Sequence, residues 1–309
     1  MSTLQSKLSV GVIGLGSMGM GVATSLLKAG FTVYAFDVRP EALQAFQAEG
    51  GIAATTPAEL AKHASIIITM VVNADQTEAV LFGATGAAPL LEPGAVVIAS
   101  STVPPAYARD LAARLAAKGI LMIDAPVSGG AAKAREGALS IMASGPAEAF
   151  DKAAQALDAI AAKVYRLGDQ AGAGSTVKMV NQLLAGVHIA VAAEAVALGV
   201  RAGVDPHVLY DVITHSAGNS WMFQNRVPHI LAGDYTPLSS VDIFVKDLGI
   251  VLETGKQLTF PLPVTATAQQ LFLMASAAGY GNIDDSAVVK VYADLTGIKL
   301  PGAKSETRD

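Results

Sequence analysis

Through the first half of the chain, short runs of aliphatic and β-branched residues alternate with longer Ala-rich stretches of helical periodicity. Strands are expected at Leu8–Ile13, Thr32–Phe36, Ser65–Val72, Ala95–Ser100, Met122–Ala125, Leu139–Ala143 and Val164–Arg166. Several of these are nearly continuous hydrophobic runs, as parallel strands covered on both faces require. Their alternation with helices over short connections predicts a doubly wound α/β sheet. The later strands lie closer together, which predicts a mixed far edge.

From Ser175 onward the strand signals stop. A long apolar stretch, residues 183–204, is followed by helical patterns at Pro206–Ser216, Trp221–Leu231, Val241–Leu258, Val264–Ala278 and Ser286–Thr296. Asp205-Pro206 has the form of an N-cap followed by proline at the first helical position. Asp285 and Ser286 are the expected caps of the last helix. The change of pattern places a boundary near 165–175. It predicts an α/β domain over 1–168 and an all-α domain over 169–309 that begins with a long linking helix. The polar tail after Pro301 is expected to fray.

Composition narrows the function classes. The chain has 309 residues, enough for two domains, with 52% hydrophobic and 15% charged residues, which fits a large buried core rather than disorder. A net charge of −5 without a basic stripe argues against nucleic acid as a partner. There are no cysteines, so disulfides, thiolate metal sites and cysteine nucleophiles are all excluded, in keeping with a cytoplasmic location. The apolar residues 10–30 carry glycines that a folded turn explains better than a secretory signal does. His188, Glu194 and Arg201 interrupt residues 183–204, so a buried helix is favoured there over a membrane span.

The chemistry begins at Gly14-Leu15-Gly16-Ser17-Met18-Gly19, which follows the first strand and opens an amphipathic helical segment. In this setting Gly14 permits the tight turn, Gly16 lets the backbone approach a pyrophosphate, and Gly19 allows close helix–sheet packing. The phosphates would meet the unpaired N–H groups at the helix N-terminus. Asp37 closes the second strand, where a carboxylate accepts from the adenosine ribose hydroxyls and repels an extra phosphate. The pattern is that of a Rossmann domain holding NAD rather than NADP. Arg39 points the other way, since an arginine there is able to hold that phosphate.

Five histidines (His63, His188, His207, His215 and His229) are scattered without metal-ligand spacing, so no metal is expected. Lys178 is the stronger acid/base candidate. Its helical neighbours Gly174, Ser175, Asn181 and Gln182 include no acid, and partial desolvation lowers a lysine's pKa. Asn181 and Gln182 share its face and are suited to orienting a hydroxyl. A surface lysine at a helix start explains the same spacing. The Ser128-Gly129-Gly130 turn, at a strand end, offers consecutive N–H groups to a carboxylate, although a flexible turn reads identically.

Taken together, GLGSMG at 14–19, DAPVSGG at 124–130, GAGSTVKMVN at 172–181 and KDLG at 246–249 resemble the β-hydroxyacid dehydrogenases, the group of 3-hydroxyisobutyrate dehydrogenase and tartronate semialdehyde reductase. The four motifs occur in order over nearly the whole chain. The resemblance implies that Ser128, Gly129 and Gly130 bind the substrate carboxylate, that Lys178 is the catalytic acid/base, and that Asn181 helps hold the substrate. It also implies that Thr102 lies by the nicotinamide and that Lys246 approaches the cofactor. Relatives often carry Asn at both the third and fourth positions after the lysine. Here the fourth is Gln182, which leaves open which amide orients the substrate.

Residues 215–235 and the DIFVKDLG stretch look closest to the branch implied to oxidise a four-carbon sugar acid such as L-threonate with NAD. In that branch Asn219, with Trp221, Phe223 and Asn225, would line the hydroxylated end of the substrate; core packing explains Trp221 and Phe223 equally well. The alternatives are a tartronate or succinic semialdehyde reductase, a 3-hydroxyisobutyrate dehydrogenase, or a dinucleotide-sensing module without chemistry. The length of the apolar helix predicts burial against another copy, as a homodimer or homotetramer.

Overall fold

In the computed structural model, which describes residues 8–302, the glycine turn sits at the centre of a parallel sheet. The expected fraying of the extreme C-terminus, residues 303–309, lies outside the described residues. The strands are β1 (Ser9–Ile13), β2 (Thr32–Phe36), β3 (Ile52–Ala53), β4 (Ile66–Thr69), β5 (Val96–Ala99) and β6 (Leu121–Asp124), in the order β3-β2-β1-β4-β5-β6. All five pairings are parallel. The order reverses between β1 and β4, and the C-terminal ends of strands at such a switch point form the ligand crevice of a doubly wound sheet.

The continuous hydrophobic runs follow from this layering. Val10 and Val12 of β1, Ile66 and Ile68 of β4, and Val96 and Ile98 of β5 pack on one face with Leu26, Phe46 and Phe150. Ile13, Ile67 and Val97 alternate to the other face and meet Leu60, Leu111 and Leu115. With both faces covered, the strand interiors are apolar, and the buried polar residues Thr69 and Asp124 stand at strand ends. Between the strands run α1 (Ser17–Lys28), α2 (Pro40–Ala48), α3 (Pro57–Ala61), α4 (Ala74–Phe82), α5 (Pro105–Ala116), α6 (Gly130–Arg135) and α7 (Ala147–Ile160).

The expected mixed far edge takes a different form. β7 (Val127–Ser128), β8 (Leu139–Ala143) and β9 (Ala161–Arg166) make a separate three-stranded sheet, with β7 antiparallel and β9 parallel to β8. Pro126 has no N–H to give a ladder, so the chain leaves the large sheet just after β6. Two strands, β3 and β7, escape the pattern because each is only two residues long.

The remaining chain is helical. It comprises α8 (Ala173–Arg201), α9 (Pro206–Thr214), α10 (Trp221–Ala232), α11 (Val241–Gln257), α12 (Pro263–Ala275) and α13 (Val289–Thr296). Contacts divide the chain into two compact units between Lys178 and Met179, inside α8. By length and composition α8 is apolar enough to cross a membrane. In the second unit, however, its Ile189, Ala192, Ala193 and Val196 are buried against Phe223, Phe244 and Phe272, as in a core helix.

Asp205 caps α9 by accepting from the N–H groups of His207 and Val208. The expected caps of the last helix shift by one. Asp284, not Asp285 or Ser286, caps the short 3-10 turn before α13. Asp285 instead forms a buried ion pair with Arg226, 2.6 Å from its Nε.

Candidate active site

In the first unit, the turn after β1 needs glycine at Gly14 for its backbone conformation and at Gly19 for space. Gly14 has φ +96°, and a Cβ there would lie 2.9 Å from the Met70 carbonyl oxygen. At Gly19 a Cβ would lie 1.9 Å from the Gly14 carbonyl oxygen, so the first turn of α1 packs directly onto the loop. Gly16 is different. A Cβ there would meet nothing within 4 Å, so its backbone borders open space. Gly16 is the N-cap of α1, with no side-chain cap and no acid in the first turn. Leu15 is buried, whereas Ser17 and Met18 are not. The N–H groups opening α1 are therefore available to an anion, and the residues fit a dinucleotide pyrophosphate.

Asp37 ends the turn from the β2 side. Its Oδ2 accepts the Leu15 N–H at 2.6 Å, and its Oδ1 accepts the Arg39 N–H at 2.9 Å and Nε at 3.0 Å. Burial alone would raise the carboxyl's pKa. Hydrogen bonds from the Arg39 side chain, the Arg39 N–H and the Leu15 N–H outweigh burial and hold it below the ordinary value. Asp37 is thus an ionised acceptor at neutral pH, positioned by the loop it faces.

Ser128 ends β7, and Gly129 and Gly130 follow at φ +138° and +77°, two successive left-handed positions that explain the glycine pair. Thr102 lies in the loop between β5 and α5. Asp124, at the end of β6, carries a function that spacing did not reveal. This carboxylate is buried, with Oδ2 accepting the N–H groups of Gly172 at 2.8 Å and Ser175 at 2.9 Å, and Oδ1 accepting the Ser175 hydroxyl at 2.6 Å. Ser144 adds a hydroxyl contact to Asp124 and accepts the Gly174 N–H. A Cβ on Gly174 would lie 2.4 Å from the Met142 carbonyl oxygen. The start of α8 is therefore clamped at one depth, and Lys178, one turn beyond Ser175, is 8% exposed. The bland alternative of a solvated surface lysine is excluded.

In the second unit, α8 and α11 share a polar chain of which Gln182 and Asp247 are buried. Asn181 donates its Nδ2 to the Gln182 Oε1 at 3.0 Å, and Gln182 donates its Nε2 to the Asp247 Oδ2 at 2.5 Å. Lys246 Nζ sits 2.5 Å from the other Asp247 oxygen. The extra methylene of glutamine spans the gap to Asp247, so Gln182 is a buried support and Asn181 is the less buried of the two amides. The signal was present in the chain, as an acid beside Lys246 and an amide beside Asn181, but nothing in the spacing joined them across 65 positions. Asn219, before α10, donates to the Thr214 carbonyl, while its buried Oδ1 has no partner among the described residues.

Residues 9–168 match the family model described as the NAD binding domain of 6-phosphogluconate dehydrogenase. Residues 172–292 match the one described as NAD-binding of NADP-dependent 3-hydroxyisobutyrate dehydrogenase. The chain is 65% identical to L-threonate dehydrogenase of Cupriavidus necator over 95% of this chain and 98% of that one. It is 52% identical to L-threonate dehydrogenase of Escherichia coli K12 over 97% and 99%. A crystal structure of 3-hydroxyisobutyrate dehydrogenase from Salmonella typhimurium superposes with TM-score 0.88 at 53% identity, covering 92% of this chain and 100% of that chain.

Proposed function

This chain belongs to the β-hydroxyacid dehydrogenase family, and from that premise we propose that it oxidises L-threonate to its 2-keto acid with NAD. The substrate rests on the near-complete coverage at 65% identity by a protein named L-threonate dehydrogenase. The chemistry rests on one observation, the burial of Lys178 at the clamped start of α8.

The Gly14, Leu15, Gly16, Ser17, Met18 and Gly19 turn holds the pyrophosphate, and Asp37 holds the adenosine ribose and disfavours NADP. Thr102 belongs to the same set, and Lys246 is assigned by the family resemblance alone. When bound, NAD supplies the hydride acceptor. Ser128 and the N–H groups of Gly129 and Gly130 hold the substrate carboxylate, which fixes the carbon to be oxidised. Lys178 Nζ removes the hydroxyl proton as that carbon becomes a carbonyl, and the burial of its stem excludes water from the amine. Asn181 steadies the same hydroxyl. Asn219 is assigned by the family resemblance to a further hydroxyl of a sugar acid, a second hydroxyl that 3-hydroxyisobutyrate lacks.

Absorbance of NADH over a panel of C3 and C4 hydroxy acids tests the substrate. L-threonate should give the highest kcat/KM, and a preference for 3-hydroxyisobutyrate would reverse the ranking in favour of the name carried by the Salmonella structure. Lys178→Ala should cut kcat by about 10²- to 10⁴-fold while leaving NADH binding intact; near-normal turnover at saturating substrate would remove Lys178 from the mechanism.

A cytoplasmic, homo-oligomeric enzyme completes this reading. Leu184, Val191 and Leu198, spaced by seven on one face of α8, are 51%, 55% and 68% exposed. A second copy of the chain is their proposed cover, as a homodimer or homotetramer.

A further inference from the structure

Helix α6 carries a cation that the reaction as described leaves unused. Lys133 lies one turn beyond Gly130, and its stem runs across Gly129: a Cβ on Gly129 would lie 3.1 Å from both the Cβ and the Cδ of Lys133. Glycine at 129 therefore answers to two demands, the φ of +138° and the room for this stem. With Cδ against the turn, the ammonium is only two bonds further on and stays beside Ser128-Gly129-Gly130. The helix itself is fixed. Ala134 is fully buried, and a Cβ on Gly21 of α1 would lie 2.7 Å from the Ala134 Cβ. The Lys133 carbonyl accepts the Ala138 N–H at 2.8 Å, which closes α6 at its far end.

The cations around α6 differ in their commitments. Arg135 faces Glu49 at 3.7 Å, and Lys28 donates to the Arg135 carbonyl. Lys133 is exposed and forms no ion pair among the described residues, not even with Glu136 in the same stretch of chain.

We propose that Lys133 is a further substrate-binding residue: its ammonium pairs with the carboxylate of the hydroxy acid at the Ser128–Gly130 turn and makes the site select an acid over a neutral analogue. The inference rests on the assignment of that turn to the carboxylate. Backbone N–H groups and a serine hydroxyl are neutral donors, and they serve the carbonyl of an amide as well as a carboxylate. A charge is needed to tell the two apart. Lys178 does not supply it, since an amine that takes up the hydroxyl proton starts neutral. Lys246 is held 2.5 Å from Asp247. The whole chain carries a net charge of −5, so an anionic substrate approaches against the net field, and a local ammonium offsets it at the point of binding. The stem packed on Gly129 has also lost part of its rotamer freedom, which lowers the entropy cost of holding an ion pair there.

The test combines steady-state kinetics on L-threonate with calorimetric binding of NADH, on full-length variants that thermal unfolding shows to be folded. Lys133→Met keeps the stem on Gly129 and removes the charge, whereas Lys133→Arg keeps the charge. Lys133→Met should raise KM for L-threonate roughly fivefold to tenfold, with kcat and NADH affinity altered less than about twofold. Lys133→Arg should retain most of the native KM. The native protein should favour the acid over its primary amide, used as a competitive inhibitor, and Lys133→Met should narrow that preference. Raising the ionic strength from about 0.02 M to about 0.2 M should raise the native KM and move that of Lys133→Met much less. An unchanged KM in Lys133→Met overturns the proposal, as does a KM raised equally in Lys133→Arg. A loss of NADH affinity in place of a raised KM also overturns it, because the ammonium then serves the cofactor's phosphates. Ser128→Ala isolates the premise. If it too leaves KM unchanged, the turn does not hold the carboxylate and both readings fall; if it raises KM while Lys133→Met does not, Lys133 alone is removed.

Discussion

At the scale of single residues, the site is decided by which polar groups are tied down. Asp37 has a lowered pKa, so it stays ionised well below neutral pH. Its acceptor role is present above the ordinary carboxylate range and is lost only as pH falls through its lowered folded value. NADH affinity should accordingly be flat from about pH 8 down to about pH 5 with respect to this group, and calorimetric titration at several pH values checks it. A midpoint near pH 6 would mean that another group controls binding. Gln182 offers a second test. Gln182→Leu preserves volume but removes the bridge from Asn181 to Asp247 and leaves a buried carboxylate oxygen short of a donor. KM for the hydroxy acid should rise by about tenfold with NADH binding unchanged. An unaltered KM would show that Asn181 needs no support from Gln182.

Among elements, the decisive contact is the one between the end of β6 and the start of α8. Asp124 holds two N–H groups and a hydroxyl there, and each donor left unsatisfied in a buried place costs about 1–3 kcal/mol. Asp124→Ala should destabilise the protein by about 3 kcal/mol in urea melts and lower kcat, since Lys178 depends on the depth of that helix. Asp124→Asn retains the oxygen that meets the two N–H groups and should recover most of both losses. Equal kcat in the alanine variant would separate the clamp from catalysis. The glycines of GAGSTVK were legible as a turn in the chain, but their reason is this clamp. Gly172 presents its N–H to Asp124 from φ +106°, and Gly174 leaves no room for a Cβ.

For the whole molecule, the open question is how the apolar face of α8 is covered. Leu198→Asp places a charge on the most exposed position of the stripe and touches none of the proposed site residues. Sedimentation should show a smaller assembly than the native protein, with the helical content unchanged. An unaltered mass would move the interface elsewhere. Five of the six large-sheet strands were readable because a doubly covered parallel strand is apolar along most of its length, which leaves a plain signature, whereas β3 is too short to carry one. The separate β7–β9 sheet was not readable, since a run such as Leu139–Ala143 carries no mark of which strand it will pair with.

What the sequence determined by itself was local. The glycine turn, the acid at the end of β2, the apolar strands, the Asp205 cap and the ordered motifs each depend on neighbours a few positions away, where backbone geometry and periodicity act directly. The burial of Lys178, the clamp by Asp124, the engagement of Arg39 by Asp37 and Leu15, and the chain from Asn181 to Lys246 depend on tertiary structure. Polar side chains choose partners by proximity in space, and a hydrogen bond between positions 182 and 247 leaves no periodic trace in the chain. The glycines therefore announce that a dinucleotide is held, while the packing at the start of α8 decides how deeply Lys178 is buried.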